Sequence, residues 1–145
     1  MTPTAQDVYD DMLRVGIRPR LRALGFTGSG STFVWPCATA AAQLGFQKSA
    51  FSDRDAVKFT VNVTVADFVS WEQARIARPH LPKHPAPNTK YGSFIWQQRI
   101  GKLLPEGEDR WWWLQADGDW TSVADEVVDA IATYIVPELR ARTGT

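Results

Sequence analysis

The stretch VKFTVNVTV, residues 57–65, decides the fold, because its apolar and polar side chains alternate without a break. Its odd-numbered positions are apolar, and its even-numbered positions are Lys58, Thr60, Asn62 and Thr64. Strict alternation over this length predicts a β-strand, since successive side chains of a strand point to opposite faces of the sheet. The sequence therefore predicts a sheet with one buried face and one polar face.

Further strands are predicted on both sides of this one, at residues 31–35, 40–49, 91–100 and 111–115. The stretch SDRDA, residues 52–56, is a suitable hairpin connection, so the strands that flank it are expected to be antiparallel neighbours. We expect a loop at TGSGS, residues 27–31, because glycine and serine favour turns. A hairpin turn is expected at residues 103–110, between the last two strands.

Helices are predicted at both ends of the chain, over residues 4–24 and from about residue 118 to Arg142, because apolar side chains recur there at helical spacing. Pro19 and Pro137 should bend these helices, since proline lacks a backbone N–H donor. A short helix at residues 66–78 and a proline-rich loop at residues 79–88 form an excursion away from the sheet.

These elements predict an α+β fold, an antiparallel sheet of about five strands. The N-terminal and C-terminal helices pack on one face of the sheet, because this arrangement buries all the apolar faces in two layers. The helix-plus-loop excursion, residues 66–90, precedes the last two strands. A length of 145 residues favours a single domain, residues 1–145.

The composition argues against a nucleic-acid-binding protein and against a membrane protein. Sixteen basic residues balance sixteen acidic ones, and this neutral charge argues against a nucleic-acid-binding protein. No apolar run approaches the roughly 18 residues that span a bilayer, and the N-terminal residues lack the basic start of a signal peptide. We therefore expect a cytoplasmic protein with no membrane association. Cys37 is the only cysteine, which excludes an intramolecular disulfide.

Four segments follow one another along the chain: RALGFTGSGSTFVW (22–35), LGFQKSAFSD (44–53), FTVNVTV (59–65) and RIGKLLPEGEDRWWWL (99–114). In this order they resemble the bacterial family catalogued as domain of unknown function 4304. The resemblance covers roughly residues 10–140 and implies an α+β domain without an assigned activity. Because the Arg-Ile-Gly segment recurs in that family, Arg99 is the best single candidate for an anchoring residue. Arg99 could equally be a structural arginine that pairs with an acid.

The polar face of the sheet is the main candidate for a binding surface. Lys58, Thr60 and Asn62 point to this face. The alternation of residues 111–115 puts Trp111 and Trp113 on one face and Trp112 on the other, and we expect Trp111 and Trp113 to join the polar face, although the pattern leaves open which tryptophans are buried. Polar groups around exposed aromatic rings suit a protein partner or a polar ligand. We expect a non-catalytic protein-binding module of the immunity or regulatory type.

The alternative function is a small-molecule-binding protein or an enzyme. Its pocket would lie between the sheet and residues 66–90, where Arg99, Lys58 and a histidine act on an anionic ligand. His80 and His84 are four residues apart, but Pro82 between them opposes the helix that this spacing needs to hold a metal. We expect no metal site and no cofactor, and we assign no catalytic residue.

Overall fold

A computed structural model describes residues 2–145 and shows an α+β fold whose elements follow the predicted order. In chain order the elements are helix α1 (Ala5–Asp11), a π-helical turn (Met12–Ile17), α2 (Arg18–Leu24), β1 (Thr27–Ser29), β2 (Thr32–Trp35), β3 (Ala40–Lys48), β4 (Ala56–Asp67), α3 (Phe68–Ala77), β5 (Trp96–Arg99), a 3₁₀ turn (Ile100–Lys102), β6 (Trp112–Gln115), α4 (Thr121–Ala130), a second π-helical turn (Ile131–Ile135) and α5 (Val136–Thr143). None of the helices in the described part of the chain is long and apolar enough to cross a membrane.

The antiparallel sheet is organised around the long strand β4. Strands β1, β2, β3 and β4 form a meander, and the expected antiparallel pairing of β3 with β4 is confirmed. Strands β5 and β6 both pair with the other edge of β4, where Asn62 is opposite Arg99 and Lys58 is opposite Trp113. The prediction of a hairpin turn at residues 103–110 is therefore wrong, because β6 pairs with β4 and not with β5. This segment leaves the sheet edge after β5 and returns to the same edge to begin β6.

Two other boundaries differ from the prediction. Residues 27–29, expected to be loop, form β1, which joins β2 through Gly30 and Ser31. Gly30 has a φ of +71°, a conformation that short hairpins require and glycine adopts readily. Strand β5 begins only at Trp96, because Gly92 has a φ of +134° and the Tyr91 backbone N–H donates to Gln97 Oε1 at 2.9 Å.

The terminal helices pack on one face of the sheet, as predicted. They bury the odd-numbered side chains of β4 in a core that also includes Trp112. An aromatic row crosses this core: the ring centroids of Tyr9 and Phe59 are 5.4 Å apart, and those of Phe59 and Trp112 are 5.8 Å apart. Such ring pairs add to the stability that burial alone supplies.

Each of the two prolines that are predicted to bend a helix follows a π-helical turn. The turn at Met12–Ile17 precedes Pro19, and the turn at Ile131–Ile135 precedes Pro137. The Arg18 backbone N–H donates to the Leu13 carbonyl, five residues earlier in the chain, so the wider turn satisfies a donor next to the proline. Each helix continues beyond its proline as α2 or α5.

The excursion between β4 and β5 covers the opposite face of the sheet. It forms a second apolar cluster from Ala66, Trp71, Leu81 and Ile95. The Trp71 indole N–H donates to the carbonyls of Pro82 and Lys83 at 3.1 and 3.0 Å, which holds the proline-rich loop against α3. The alternation alone predicted an open polar face. In the structure this face is largely covered.

Candidate functional site

Thr60 is the clearest example of this closure. Its side chain is 0 % exposed, and its hydroxyl donates to the Arg110 carbonyl at 2.7 Å. Thr64, on the same face, is also fully buried and accepts a hydrogen bond from Gln97 Nε2 at 3.3 Å. The expectation that Thr60 lies on an open binding surface is wrong, because the segment that returns to β6 covers it.

Asn62 is the centre of a hydrogen-bond network on the part of the face that stays accessible. Its amide nitrogen donates to Gln47 Oε1 at 2.7 Å and to Asn88 Oδ1 at 3.0 Å. Arg99 Nε donates to Asn62 Oδ1 at 3.4 Å. Asn88 also donates to the Phe46 carbonyl at 3.2 Å, so the proline-rich loop is attached to the sheet at this point.

A cavity of about 530 Å³ lies beside this network, between the loop and the β5 edge, and we name it the amide–cation groove. Its amide side chains are Gln47, Asn62, Asn88, Gln97 and Gln98. Its charged side chains are Lys90, Arg99, Lys102 and Asp109. Three cations and one carboxylate leave a local positive charge on a chain whose formal net charge is +0. This composition favours an anionic ligand with several hydrogen-bond acceptors.

Arg99 occupies the centre of the charged side of the groove. Its guanidinium donates to Asp109 Oδ2 at 3.0 Å and lies 5.0 Å from the centroid of the Trp111 indole. The sequence left open whether Arg99 pairs with an acid. In the structure Arg99, at the end of β5, pairs with Asp109 of the segment that follows. The next two residues explain the Arg-Ile-Gly motif: Ile100 is buried in the core, and Gly101 lies against the backbone of Glu108, Asp109 and Arg110.

Asp109 is held as a carboxylate by its neighbours. Burial by itself raises the pKa of this group. The hydrogen bond from Trp111 and the positive charge of Arg99 together outweigh it, so the pKa lies below its ordinary value of 3.8. The Trp111 indole N–H donates to Asp109 Oδ2 at 2.9 Å, the same oxygen that accepts from Arg99. Asp109 is therefore charged at neutral pH.

A cation–π cluster next to Arg99 consists of Lys58, Trp111 and Trp113. The Lys58 ammonium is 5.1 Å from the centroid of the Trp111 ring and 5.6 Å from that of Trp113, so it interacts with both rings. Trp113 is 51 % exposed, whereas Trp112 on the opposite face is 4 % exposed. Lys58 contacts these rings and is not among the residues that line the groove.

Neither histidine lines the groove that contains Arg99. His80 lines a second cavity, which shares Thr89 and Lys90 with the groove, and His84 is exposed on the same loop. The alternative function expected a histidine beside Arg99 in one pocket, and the structure does not bring them together. Within residues 2–145, no three histidine, cysteine, aspartate or glutamate side chains form a group that could hold a metal ion.

The groove residues that sequence reasoning did not assign to the site include Asn88, Lys90, Lys102 and Asp109. Asn88 and Lys90 follow the proline-rich stretch, whose path over the sheet no local pattern specifies. Asp109 lies within the predicted hairpin turn at residues 103–110, although its place in the segment RIGKLLPEGEDRWWWL, close to both Arg99 and Trp111, is a usable signal.

Comparison with known proteins identifies the family. Searches of curated proteins and of solved structures each returned no significant match. The family model described as Domain of unknown function (DUF4304) matches residues 17–141. The match includes α2, α4, the whole sheet and every residue of the amide–cation groove, and it begins after α1. The chain therefore belongs to the family described as Domain of unknown function (DUF4304).

Proposed function

We propose that this protein is a non-catalytic binding module that recognises an acidic segment of a protein partner in the amide–cation groove. The observation that carries the proposal is the convergence of Lys90, Arg99 and Lys102 on one accessible cavity lined by amide side chains. Amide and cationic groups bind carboxylates by directed hydrogen bonds, and Arg99 supplies the strongest donor of the set. We place the module in the cytoplasm as a single domain.

The distribution of charge supports a protein partner over a nucleic acid. Nucleic-acid-binding surfaces carry a broad surplus of basic residues, because affinity depends on the number of phosphates that are neutralised. Here the chain as a whole has sixteen basic and sixteen acidic residues, and the groove is lined by three cations and one carboxylate. A positive groove suits a short acidic segment, and the exposed Trp113 beside it offers an apolar contact for the same partner.

A small anionic molecule is the second candidate. The observation that favours it is the volume of the groove, about 530 Å³, which lies within the range of roughly 300–1,000 Å³ typical of small-molecule sites. In this case the same cations and amides bind the ligand, and the exposed Trp113 has no part in recognition.

One capture experiment separates the two candidates. The tagged protein is incubated in a lysate of its source cells, washed at low ionic strength and analysed by native mass spectrometry. In parallel, Arg99→Gln removes the central cation, and Arg20→Gln removes an arginine that pairs with Asp125 at 2.7 Å on the helical side of the molecule. A protein captured by the wild type and Arg20→Gln but lost from Arg99→Gln, with binding that weakens as salt rises, supports the module.

The other outcomes are equally decisive. A retained small anion that depends on Arg99, without a protein, supports the second candidate and overturns the first. Capture that is equal for all three proteins shows that the groove is not the binding site.

A further inference from the structure

We propose that the amide–cation groove binds a carboxylate that replaces Asp109 on Arg99, so that Asp109 acts as an internal competitor for the ligand. This inference rests on the proposed function. It adds the chemical class of the group that is recognised and the residue that regulates access to the site.

Asp109 shows which chemistry fits the site. One of its carboxylate oxygens accepts hydrogen bonds from the Arg99 guanidinium at 3.0 Å and from the Trp111 indole at 2.9 Å. A carboxylate can accept from both donors at once, because each oxygen has two lone pairs. A ligand carboxylate that takes this position makes the same two bonds, so both donors are satisfied in the free protein and in the complex.

The Arg99–Asp109 pair is weak enough to be exchanged. The side chains of Arg99 and Asp109 are 37 % and 47 % exposed, and ion pairs between such solvated groups contribute little to stability. Lys90 and Lys102 line the same groove. A ligand with more than one carboxylate therefore gains contacts with these lysines in addition to Arg99, whereas Asp109 brings a single carboxylate.

The exchange needs a rotation of the Asp109 side chain and no movement of its backbone. The backbone at Asp109 is anchored on both sides, because it lies against Gly101 and the next carbonyl, of Arg110, accepts from the buried Thr60. Arg110 also pairs with Glu126 of α4 at 3.5 Å. The backbone of Asp109 is thus held in place by these contacts, and its carboxylate lies next to Arg99, the cation that the ligand needs.

The test compares Asp109→Asn with Glu108→Gln in the full chain. Both substitutions remove one negative charge from the same segment and preserve side-chain size, but Glu108 does not line the groove. Binding is measured by isothermal titration calorimetry with hexaglutamate, citrate and inorganic phosphate as probes. Arg99→Gln is measured with the same probes. The indole N–H resonance of Trp111, assigned with Trp111→Phe, is followed by NMR during each titration.

We expect Asp109→Asn to bind hexaglutamate about twofold to fivefold more tightly than the wild type, the range set by removal of an exposed ion pair. Glu108→Gln should bind like the wild type. The Trp111 resonance should shift on binding in the wild type, because its acceptor changes. Equal affinities of Asp109→Asn and Glu108→Gln, or an unchanged Trp111 resonance in a complex that forms, overturn the inference.

The remaining outcomes separate this inference from the proposed function. Binding of citrate but not hexaglutamate, tightened in Asp109→Asn, supports the competitor and overturns the protein partner. Binding of hexaglutamate that Arg99→Gln leaves intact overturns the proposed function. A preference of Asp109→Asn for phosphate over both carboxylate probes overturns the assignment of the ligand class.

Discussion

The side-chain amide of Asn88 lies directly over the α-carbon of Gly45, at the point where the proline-rich loop contacts the sheet. A Cβ at Gly45 would meet Asn88 Oδ1, and it would approach Pro87 Cγ to 2.8 Å. Asn62 donates to the same oxygen of Asn88. This close approach, which only glycine permits, forms the wall of the amide–cation groove.

The first prediction concerns this contact. Gly45→Ala should lower the free energy of unfolding by about 1–3 kcal/mol, because the added methyl group forces Asn88 and Pro87 away from the sheet. Urea-induced unfolding followed by circular dichroism measures the change. Gly118→Ala is the control, since the nearest atom to a Cβ there, Gln115 Cβ, is 3.3 Å away. If Gly45→Ala is as stable as the wild type, the close packing of Asn88 and Pro87 on Gly45 is contradicted.

Gly101→Ala should be more destabilising than Gly45→Ala. At Gly101 the nearest atoms belong to the backbone of Glu108, Asp109 and Arg110, which cannot rotate aside as a side chain can. We expect a loss of about 3 kcal/mol or more. The same urea titration ranks the two variants. A smaller loss for Gly101→Ala than for Gly45→Ala contradicts the prediction.

Thr60→Val tests whether Thr60 has a structural role. The substitution keeps the shape of the side chain but removes the hydroxyl that donates to the Arg110 carbonyl at 2.7 Å. Because the carbonyl then lacks this partner, we expect a loss of about 1–2 kcal/mol. Thr64→Val should cost less, since the Gln97 amide keeps its bond to the Thr89 carbonyl at 2.6 Å. A wild-type melting temperature for Thr60→Val would show that the hydrogen bond to the Arg110 carbonyl does not stabilise the fold.

The tryptophans of β6 should respond in opposite ways to replacement by alanine. Trp112 is buried and packs against Phe59 at 5.8 Å, so Trp112→Ala should cost about 3–5 kcal/mol. Trp113 is half-exposed, and its loss should cost less than about 1 kcal/mol. Thermal unfolding measures both variants. If the two losses are similar, the assignment of the faces of β6 is wrong.

The pH dependence of stability should reveal the Arg99–Asp109 pair. The pKa of Asp109 is lower in the folded chain than its ordinary value of 3.8, so its contribution is fully present above that value and is lost as the pH falls through the folded pKa. The difference in unfolding free energy between the wild type and Asp109→Asn should therefore shrink below about pH 4. Urea titrations between about pH 6 and pH 3 measure it.

The comparison with Asp109→Asn removes the contributions of other carboxyl groups. Hydrogen bonds from Thr4 and Thr121 also lower the pKa values of Asp7 and Asp119, so the stability of both proteins declines over the same range of pH. Only the difference between the two proteins reports on Asp109. A difference that stays constant down to pH 3 contradicts the pairing.

Most of the fold follows from local patterns. The alternation at residues 57–65 is sufficient for β4, and the helical spacing near Val127 and Ile131 is sufficient for α4, because side-chain periodicity depends only on the geometry of the element itself. The same alternation correctly separates Trp112 from Trp113. The interruption between β5 and β6 was missed, since both a hairpin and a return to the same edge satisfy the local pattern.

The site followed from the sequence only in part. Asn62 and Arg99 were recognised, one by its place on the polar face and the other by the Arg-Ile-Gly motif, and the structure makes them partners across β4 and β5. Thr60 was recognised for the same reason as Asn62, yet it is buried. Alternation predicts the face of the sheet to which a side chain points, but it contains no information about what covers that face.

The sequence by itself determined most of the elements and the alternation of each long strand, because both depend on neighbours within a few positions along the chain. Only the tertiary structure decided which part of the polar face stays accessible. Asn88, Arg99 and Asp109 come together because β5 pairs with β4, the proline-rich loop packs on Gly45, and the following segment folds back against Gly101. These contacts join residues far apart in the chain, so the packing of the whole molecule, and no local pattern, creates the groove.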